Sequence, residues 1–280
     1  MSRRPKKKKK NRQGKGWRTA KSADTLELYE LSVQEPESEI DIIDQIWSEQ
    51  RGRTARTLRE DFCGTAAVSI EWVKRRGDNH AIGVDLDRPT LDWTLGRMEN
   101  VTDENQRARI DLIEGNVLTT ETQRVDTMLA TNFSYFIFKS REALCDYFKI
   151  VHAGLVDDGL FILDAYGGSD SYLEMTEDRD LDGFTYVWDQ NFFDPITSDV
   201  VNHIHFKFPD GTKIKKAFTY EWRLWTLPEI RELLLEAGFK DAVIYWEGTE
   251  EDTGEGDGNW ACSERGEACE GWVAYIVGIR

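Results

Sequence analysis

The chain has 280 residues, 40% of them apolar, with thirteen Phe, ten Trp and nine Tyr, which is enough for a sizeable core in one large domain or two small ones. No apolar run reaches the roughly 18 residues that span a bilayer, and the basic start has no apolar stretch behind it, which excludes a secretory signal. Residues 1–21 carry eleven Lys/Arg and no acid, so the remainder holds 25 of the 36 basic residues against all 52 acidic ones, a formal charge of −27.

So acidic a body repels phosphate backbones, and any attraction to nucleic acid must come from the tail. Residues 1–22 read as a disordered, solvated arm. A tether to RNA or to a membrane surface, or a nuclear address, is the sharper alternative. Cys63 and Cys145 stand apart, and Cys262 and Cys269 share an acidic, Gly-rich loop at a spacing that fits no zinc pattern. Reduced thiols, no metal and a cytoplasmic protein are the expectation.

Segment 23–56 reads as an N-terminal helical lid or brace, because Ile40, Ile43, Ile46 and Trp47 recur at helical spacing. An alternation follows. "TLREDF" is a strand, the stretch from Thr65 to Arg76 a helix, and "AIGVDL" a second strand. Asp87 caps the next helix, with Pro89 in its first turn. "IDLIEG" and "VDTMLATNF" are the third and fourth strands, Ser140 opens a helix, and "LFILDAY" is a fifth strand apolar enough for burial on both faces. Such alternation predicts a parallel sheet with helices on both sides.

From about 167 to 225 the pattern becomes aromatic and β-branched, with a hairpin turn at Pro209-Asp210-Gly211, as expected of an antiparallel β insertion. Thr226 and Glu229 form a capping box for "EIRELLLEAGF", and Gly238 stops that helix. "AVIYWEG" and "GWVAYIVGIR" are final strands that can pair antiparallel.

Ligands of open α/β sheets bind outside the carboxyl ends of the strands. Here those ends carry Glu60, Asp61, Phe62, Cys63 and Gly64; then Asp85, Leu86 and Asp87; then Gly115, Asn116 and Val117; then Asn132, Phe133, Ser134 and Tyr135; then Asp164, Ala165 and Tyr166. Asp85 stands 21 residues beyond Gly64, close to the roughly 20-residue interval between a glycine turn and a ribose-binding acid. A carboxylate accepts bonds from both ribose hydroxyls; a helix cap or a solvated loop acid is the plainer role for the same residue. Asn116 offers an amide able to read an adenine edge or simply to shape a turn.

"LREDFCGTA", "AIGVDLD", "LIEGNV", "GLVDDGLFILD" and "TLPEIRELLLEAGF", in that order, resemble the signatures of the class I S-adenosylmethionine-dependent methyltransferases over residues 57–167 and 226–280. The resemblance implies a Rossmann-like seven-stranded sheet with an antiparallel last strand, a methyltransferase domain over 57–280 with the β insertion at about 167–225, and S-adenosyl-L-methionine as cofactor. It implies Glu60 near the methionine amino group, Gly64 under its backbone, Asp85 on the ribose and Asn116 near adenine, with Phe62, Thr65, Leu86, Val117 and Asn132 completing the cofactor site. Phe62 and Ala66 stand where two of the family's glycines are usual. "TNFSYF" follows the fourth strand in place of an Asn-Pro-Pro-Tyr-type tetrapeptide, which argues against the base and glutamine methylators that carry it.

Tyr135 and Tyr166 are the candidate catalytic residues, with Asn132, His203 and His205 also in reach. The two histidines alternate on one strand, so a metal pair is conceivable, though no third ligand is visible. Tyr29, Tyr135, Tyr166 and Trp222 are the candidate acceptor-binding residues. Trp188, Trp222 and Trp225 either line an acceptor pocket or form the insertion's own core. Three functions are compatible with these features: methyl transfer to a small-molecule acceptor, the same transfer to RNA or protein through the tail, and an inactive cofactor-binding protein on the same fold.

Overall fold

A computed structural model describes residues 18–250 and 256–280. Most of the basic tail and part of the acidic loop therefore lie outside the described residues. The chain opens with helices α1 (Thr25–Val33) and α2 (Pro36–Arg51), then runs through β1 (Thr57–Asp61), α3 (Ala67–Arg75), β2 (His80–Asp85), α4 (Arg88–Val101), the short α5 (Glu104–Arg107), β3 (Ile110–Glu114), β4 (Val125–Ala130), α6 (Arg141–Gly154) and β5 (Leu155–Gly167). Strands β6 (Met175–Leu181), β7 (Phe184–Phe193), β8 (Asp199–Lys207) and β9 (Lys213–Arg223) follow, then α7 (Leu227–Glu236), β10 (Asp241–Thr249), β11 (Gly256–Cys262) and β12 (Trp272–Ile279).

The main sheet has the order β11-β10-β12-β5-β4-β1-β2-β3. Strands β3, β2, β1, β4 and β5 are mutually parallel, and β12 runs antiparallel between β5 and β10. The order reverses at β1 and β4, so the switch point falls where the sequence placed the candidate site. The expected seven strands are present, and β11, from the acidic loop, adds an eighth along the edge of β10. Its "GDGNWAC" has no strand alternation to announce it; pairing with an already formed neighbour decides its state, as context often does for strands.

Helices α2 and α3 cover one face of the sheet; Ile40, Ile43, Ile46 and Trp47 of α2 are at most 2% exposed. Each such side chain contributes about 1.5–3 kcal/mol on burial, so α2 is a core brace. Helices α6 and α7 cover the other face. Asp87 caps α4, Ser140 caps α6, and Thr226 with Glu229 forms the capping box of α7. Strands β6–β9 form a separate antiparallel sheet whose aromatic face joins the core of the α6 side.

Candidate functional site

The turn after β1 keeps a glycine-type backbone without the glycines. Phe62, Gly64 and Ala66 have φ of 57°, 50° and 49°. A left-handed non-glycine residue costs roughly 1–2 kcal/mol. The Phe62 ring recovers part of that by packing edge-on against Tyr147 and Phe138, with centroids 5.8 and 6.1 Å away. It points toward α6, leaving the approach to Gly64 clear: no atom lies within 4 Å of where a Cβ on Gly64 would stand. Cys63, next in the turn, packs its sulfur against β2, where a Cβ on Gly83 would come within 2.9 Å of it. This explains the glycine of "AIGVDL".

Asp85 braces the turn from the end of β2. Its Oδ2 accepts the Gly64 amide at 2.8 Å, and its Oδ1 accepts the Asp87 amide at 2.8 Å. Each carboxylate oxygen retains a further acceptor site. Glu60 is 4% exposed and accepts both the amide and the hydroxyl of Ser69, at 2.9 and 2.6 Å. It thereby caps α3, whose own preceding residue, Ala66, has no capping side chain. Burial, with Glu39 and Asp85 adding like charge, raises Glu60 to about 8 despite those bonds.

Asn116 is exposed, and its Oδ1 accepts the Leu118 amide at 2.9 Å, a turn-shaping role. Val117 is buried and Leu86 is 67% exposed. Thr65 is buried, its hydroxyl donating to Gln34 at 3.1 Å and so tying α1 to the turn. Helix α1 is further fixed to α4 by Asp24 with Trp93 and by Glu30 with Arg97. This places Tyr29 against Phe218 of β9, with ring centroids 4.9 Å apart, and beside Tyr220.

After β4, Asn132 and Phe133 are consecutive left-handed residues, φ 58° and 60°. Both amides are caught by the Asp164 carboxylate at 2.9 Å. Asp164 is buried and raised to about 7, by desolvation first and by the charge of Glu39 as well. Tyr166 is 3% exposed, receives Asn202 of β8 at 3.3 Å and packs on Phe133 at 4.8 Å. Burial pushes its hydroxyl up to about 12. Trp222 stacks on Tyr220 at 4.4 Å and meets Phe133 edge-on at 6.3 Å. The insertion thus presents rings to the ends of β4 and β5.

Three sequence candidates, Tyr135, His203 and His205, lie elsewhere. Tyr135 is fully buried beside Phe136 and Phe148, its hydroxyl donating to the Asp164 carbonyl at 2.8 Å. It is a core residue with a spoken-for proton, which removes it as a catalytic or acceptor-binding candidate. The register of β8 sets His203 and His205 on the face opposite Asn202, Tyr220 and Trp222. His205 Nδ1 accepts the Lys216 amide and its Nε2 bonds Asp189 at 3.0 Å, so neither histidine faces the strand ends. No cluster of three or more His, Cys, Asp or Glu able to hold a metal occurs among the described residues. Cys262 and Cys269 are free, exposed thiols, and no helix among the described residues is long and apolar enough to cross a membrane. Trp225 is core, donating to the Phe138 carbonyl.

Sequence reasoning missed Glu39, Arg59 and Tyr147, and placed Asp61 and Phe133 at strand ends without giving either a role. For Arg59 and Asp61 the available signal was charge inside the "LRED" strand, which burial tolerates only when the charge is paired.

Neither a family model nor a curated protein sequence matches the chain. Solved structures do. The chain is similar to an S-adenosylmethionine-dependent methyltransferase from Clostridium acetobutylicum, at 17% identity and TM-score 0.66 over 91% of this chain and 97% of that one. It is similar to the amino pentose methyltransferase CalS10 from Micromonospora echinaspora, solved with S-adenosylmethionine bound, at 15% identity and TM-score 0.63 over 90% and 95%. The sugar N-methyltransferase KedS8 from Streptoalloteichus matches at 15% identity and TM-score 0.61 over 92% and 93%. Likeness at such identities speaks for architecture: the chain has the fold of the class I S-adenosylmethionine-dependent methyltransferases.

Proposed function

We propose that the protein is an S-adenosylmethionine-dependent methyltransferase that moves a methyl group in line to a small-molecule acceptor. The observation that carries this reading is the β1 turn. Three left-handed residues in five positions, braced by Asp85 on the Gly64 amide, keep the shape of a cofactor loop although two of its glycines are gone. A chain free of that demand would relax Phe62 and Ala66 to ordinary backbone.

When bound, the cofactor supplies a methyl already activated on a sulfonium. Gly64 offers bare backbone for close approach, and the remaining lone pairs of Asp85 accept from ribose hydroxyls. The NH₂ group of Asn116, with Leu86 and Val117, is assigned to the adenine end. Glu60, Asp85 and Asp164 are held by amide and hydroxyl donors, and no lysine or arginine of the described residues pairs with any of the three. That suits a ligand bearing positive charge.

Tyr166, kept protonated by burial and oriented by the Asn202 amide, positions an acceptor and does not take its proton. Most of the acceleration then comes from alignment and exclusion of water by Tyr29, Phe133 and Trp222. A small acceptor is favoured because the aromatic sheet roofs the strand ends and the body is strongly acidic; the sugar and amino pentose methyltransferases of the same fold are in keeping with it.

Calorimetry with S-adenosylmethionine and S-adenosylhomocysteine tests the reading, and folded protein that binds neither would refute it. A metabolite screen for S-adenosylhomocysteine release identifies the acceptor. Removal of residues 1–21 should leave turnover intact; loss of turnover would move the acceptor to RNA or protein.

A further inference from the structure

The connection from β3 to β4 spans residues 115–124 and contains turns but no helix. It must cross β2 and β1 to reach β4, about 14 Å at the usual strand spacing. Parallel crossovers ordinarily carry a helix that buries itself on the sheet and fixes the loop at its start. Here that anchorage is replaced by one side chain.

Arg59 is on β1, 2% exposed. Its Nη1 donates to the Thr120 carbonyl at 2.9 Å and to Thr122 Oγ1 at 3.2 Å, and its Nη2 donates to the Val117 carbonyl at 3.3 Å. Its Nε bonds Asp61 Oδ1 at 2.7 Å, and Asp61 Oδ2 accepts the Tyr147 hydroxyl of α6 at 3.0 Å. Arg59 and Asp61 share a strand face by alternation. One guanidinium therefore joins the loop carrying Asn116 and Val117 to the strand carrying Glu60 and the Phe62-Gly64-Ala66 turn. Tyr147 extends the chain of contacts back to the Phe62 ring.

Stability does not explain this network. A buried ion pair is often no better than a well-packed apolar pair. An apolar pair, however, cannot receive two carbonyls and a hydroxyl of a crossing loop. We infer that Arg59 is a positioning residue for cofactor binding, setting the 115–124 connection at a fixed distance from the β1 turn through its fork of hydrogen bonds. Lysine cannot substitute, because one ammonium cannot reach Asp61, Val117 and Thr120 in these directions together. The inference rests on the cofactor reading above, since it assigns the two joined segments to two ends of one ligand.

The test uses the full chain, with S-adenosylhomocysteine and adenosine as probes. In Arg59→Lys the dissociation constant of S-adenosylhomocysteine, which reaches both segments, should rise about tenfold, the loss expected when charge-assisted bonds are removed, and that of adenosine, which lacks the methionine end, should rise less. Amide hydrogen exchange should accelerate in 115–124 while the α2, α3 and β5 amides keep their protection. Thr122→Val, which removes one acceptor and leaves the Arg59–Asp61 pair intact, should show the same localised exchange with a two- to threefold loss, roughly a third of a bond-scale effect.

A purely structural role would accelerate exchange throughout and leave the folded fraction's affinity unchanged; that result, or unchanged exchange in 115–124, overturns the inference. Should Arg59→Lys fail to fold, Thr122→Val decides by the same two measurements. If the unmodified protein binds neither S-adenosylhomocysteine nor S-adenosylmethionine, the cofactor reading itself falls, and this inference with it.

Discussion

The two halves of the row of strand ends are built by different means. At the β1–β3 end, carboxylates and a guanidinium hold backbone: Asp85 the Gly64 amide, Glu60 the start of α3, Arg59 the β3–β4 connection. At the β4–β5 end, apart from the Asp164 clasp on Asn132 and Phe133, the walls are rings from two sheets: Phe133, Tyr166, Tyr220 and Trp222. Directional bonds suit a ligand whose shape never varies, whereas packed rings suit a site whose shape is tuned by side-chain exchange. On the proposed reading the first end takes the cofactor and the second the acceptor.

Substitutions can break this contrast. The largest effect should come from Trp222→Ala on the aromatic side, a loss of about 3–5 kcal/mol of stability, typical of truncating a buried aromatic, read by denaturant unfolding. Its cofactor affinity, measured on the folded protein, should change little; a large loss there would mean that the two ends are one site.

Asp85→Ala should act the other way. It removes a charged acceptor worth about 1.5–3 kcal/mol, so S-adenosylhomocysteine should bind roughly 10- to 100-fold more weakly by calorimetry. An unchanged dissociation constant would refute the ribose assignment.

Acid–base behaviour sharpens the same contrast. Glu60 and Asp164 titrate near 8 and 7, above their unfolded values, so the native state holds more protons than the unfolded one. Their contribution favours folding at pH below about 4 and is lost as pH rises to about 7–8, at roughly 1.4 kcal/mol per pH unit for each group. Glu60→Gln should flatten the stability profile between about pH 4.5 and 8 relative to the parent. Binding of S-adenosylmethionine at pH 7 should release protons, detected by calorimetry in buffers of different ionisation enthalpy; proton uptake would reverse the sign and sink the account.

The smallest effects concern the turn. Ala66→Gly relieves left-handed strain of about 1–2 kcal/mol but frees the unfolded chain by about 0.4–1 kcal/mol, for a net gain between about 0 and about 1.6 kcal/mol. Phe62→Gly gains likewise but loses its ring contacts with Phe138 and Tyr147, so it should destabilise. Two glycine replacements of opposite sign in one turn would show which residue is merely tolerated there and which is anchored. Equal signs would mean that the Phe62 ring contributes no anchorage.

Much of this architecture was legible in advance. The strand-helix alternation, the caps at Asp87, Ser140 and Thr226, and the 21-residue interval from Gly64 to Asp85 are local or nearly local patterns, and the folded chain carries each of them. The eighth strand was hidden because "GDGNWAC" becomes a strand only beside β10. Tyr135 looked like a site residue because it follows a strand end, and its inward turn depends on Phe136, Phe148 and the Asp164 carbonyl, none of which its spacing reveals. His203 and His205 were rightly read as sharing a face, but which face depended on the register with β7 and β9.

The sequence by itself determined periodicities, turn chemistry and chain order, because these follow from backbone geometry and from neighbours a few residues away. Tertiary structure alone decided which carboxylates are desolvated, which tyrosine is core and which is roof, and that Arg59 would reach across the sheet to a loop some sixty residues on. Burial and charge–charge coupling are sums over neighbours brought together only by folding, and no local pattern encodes them.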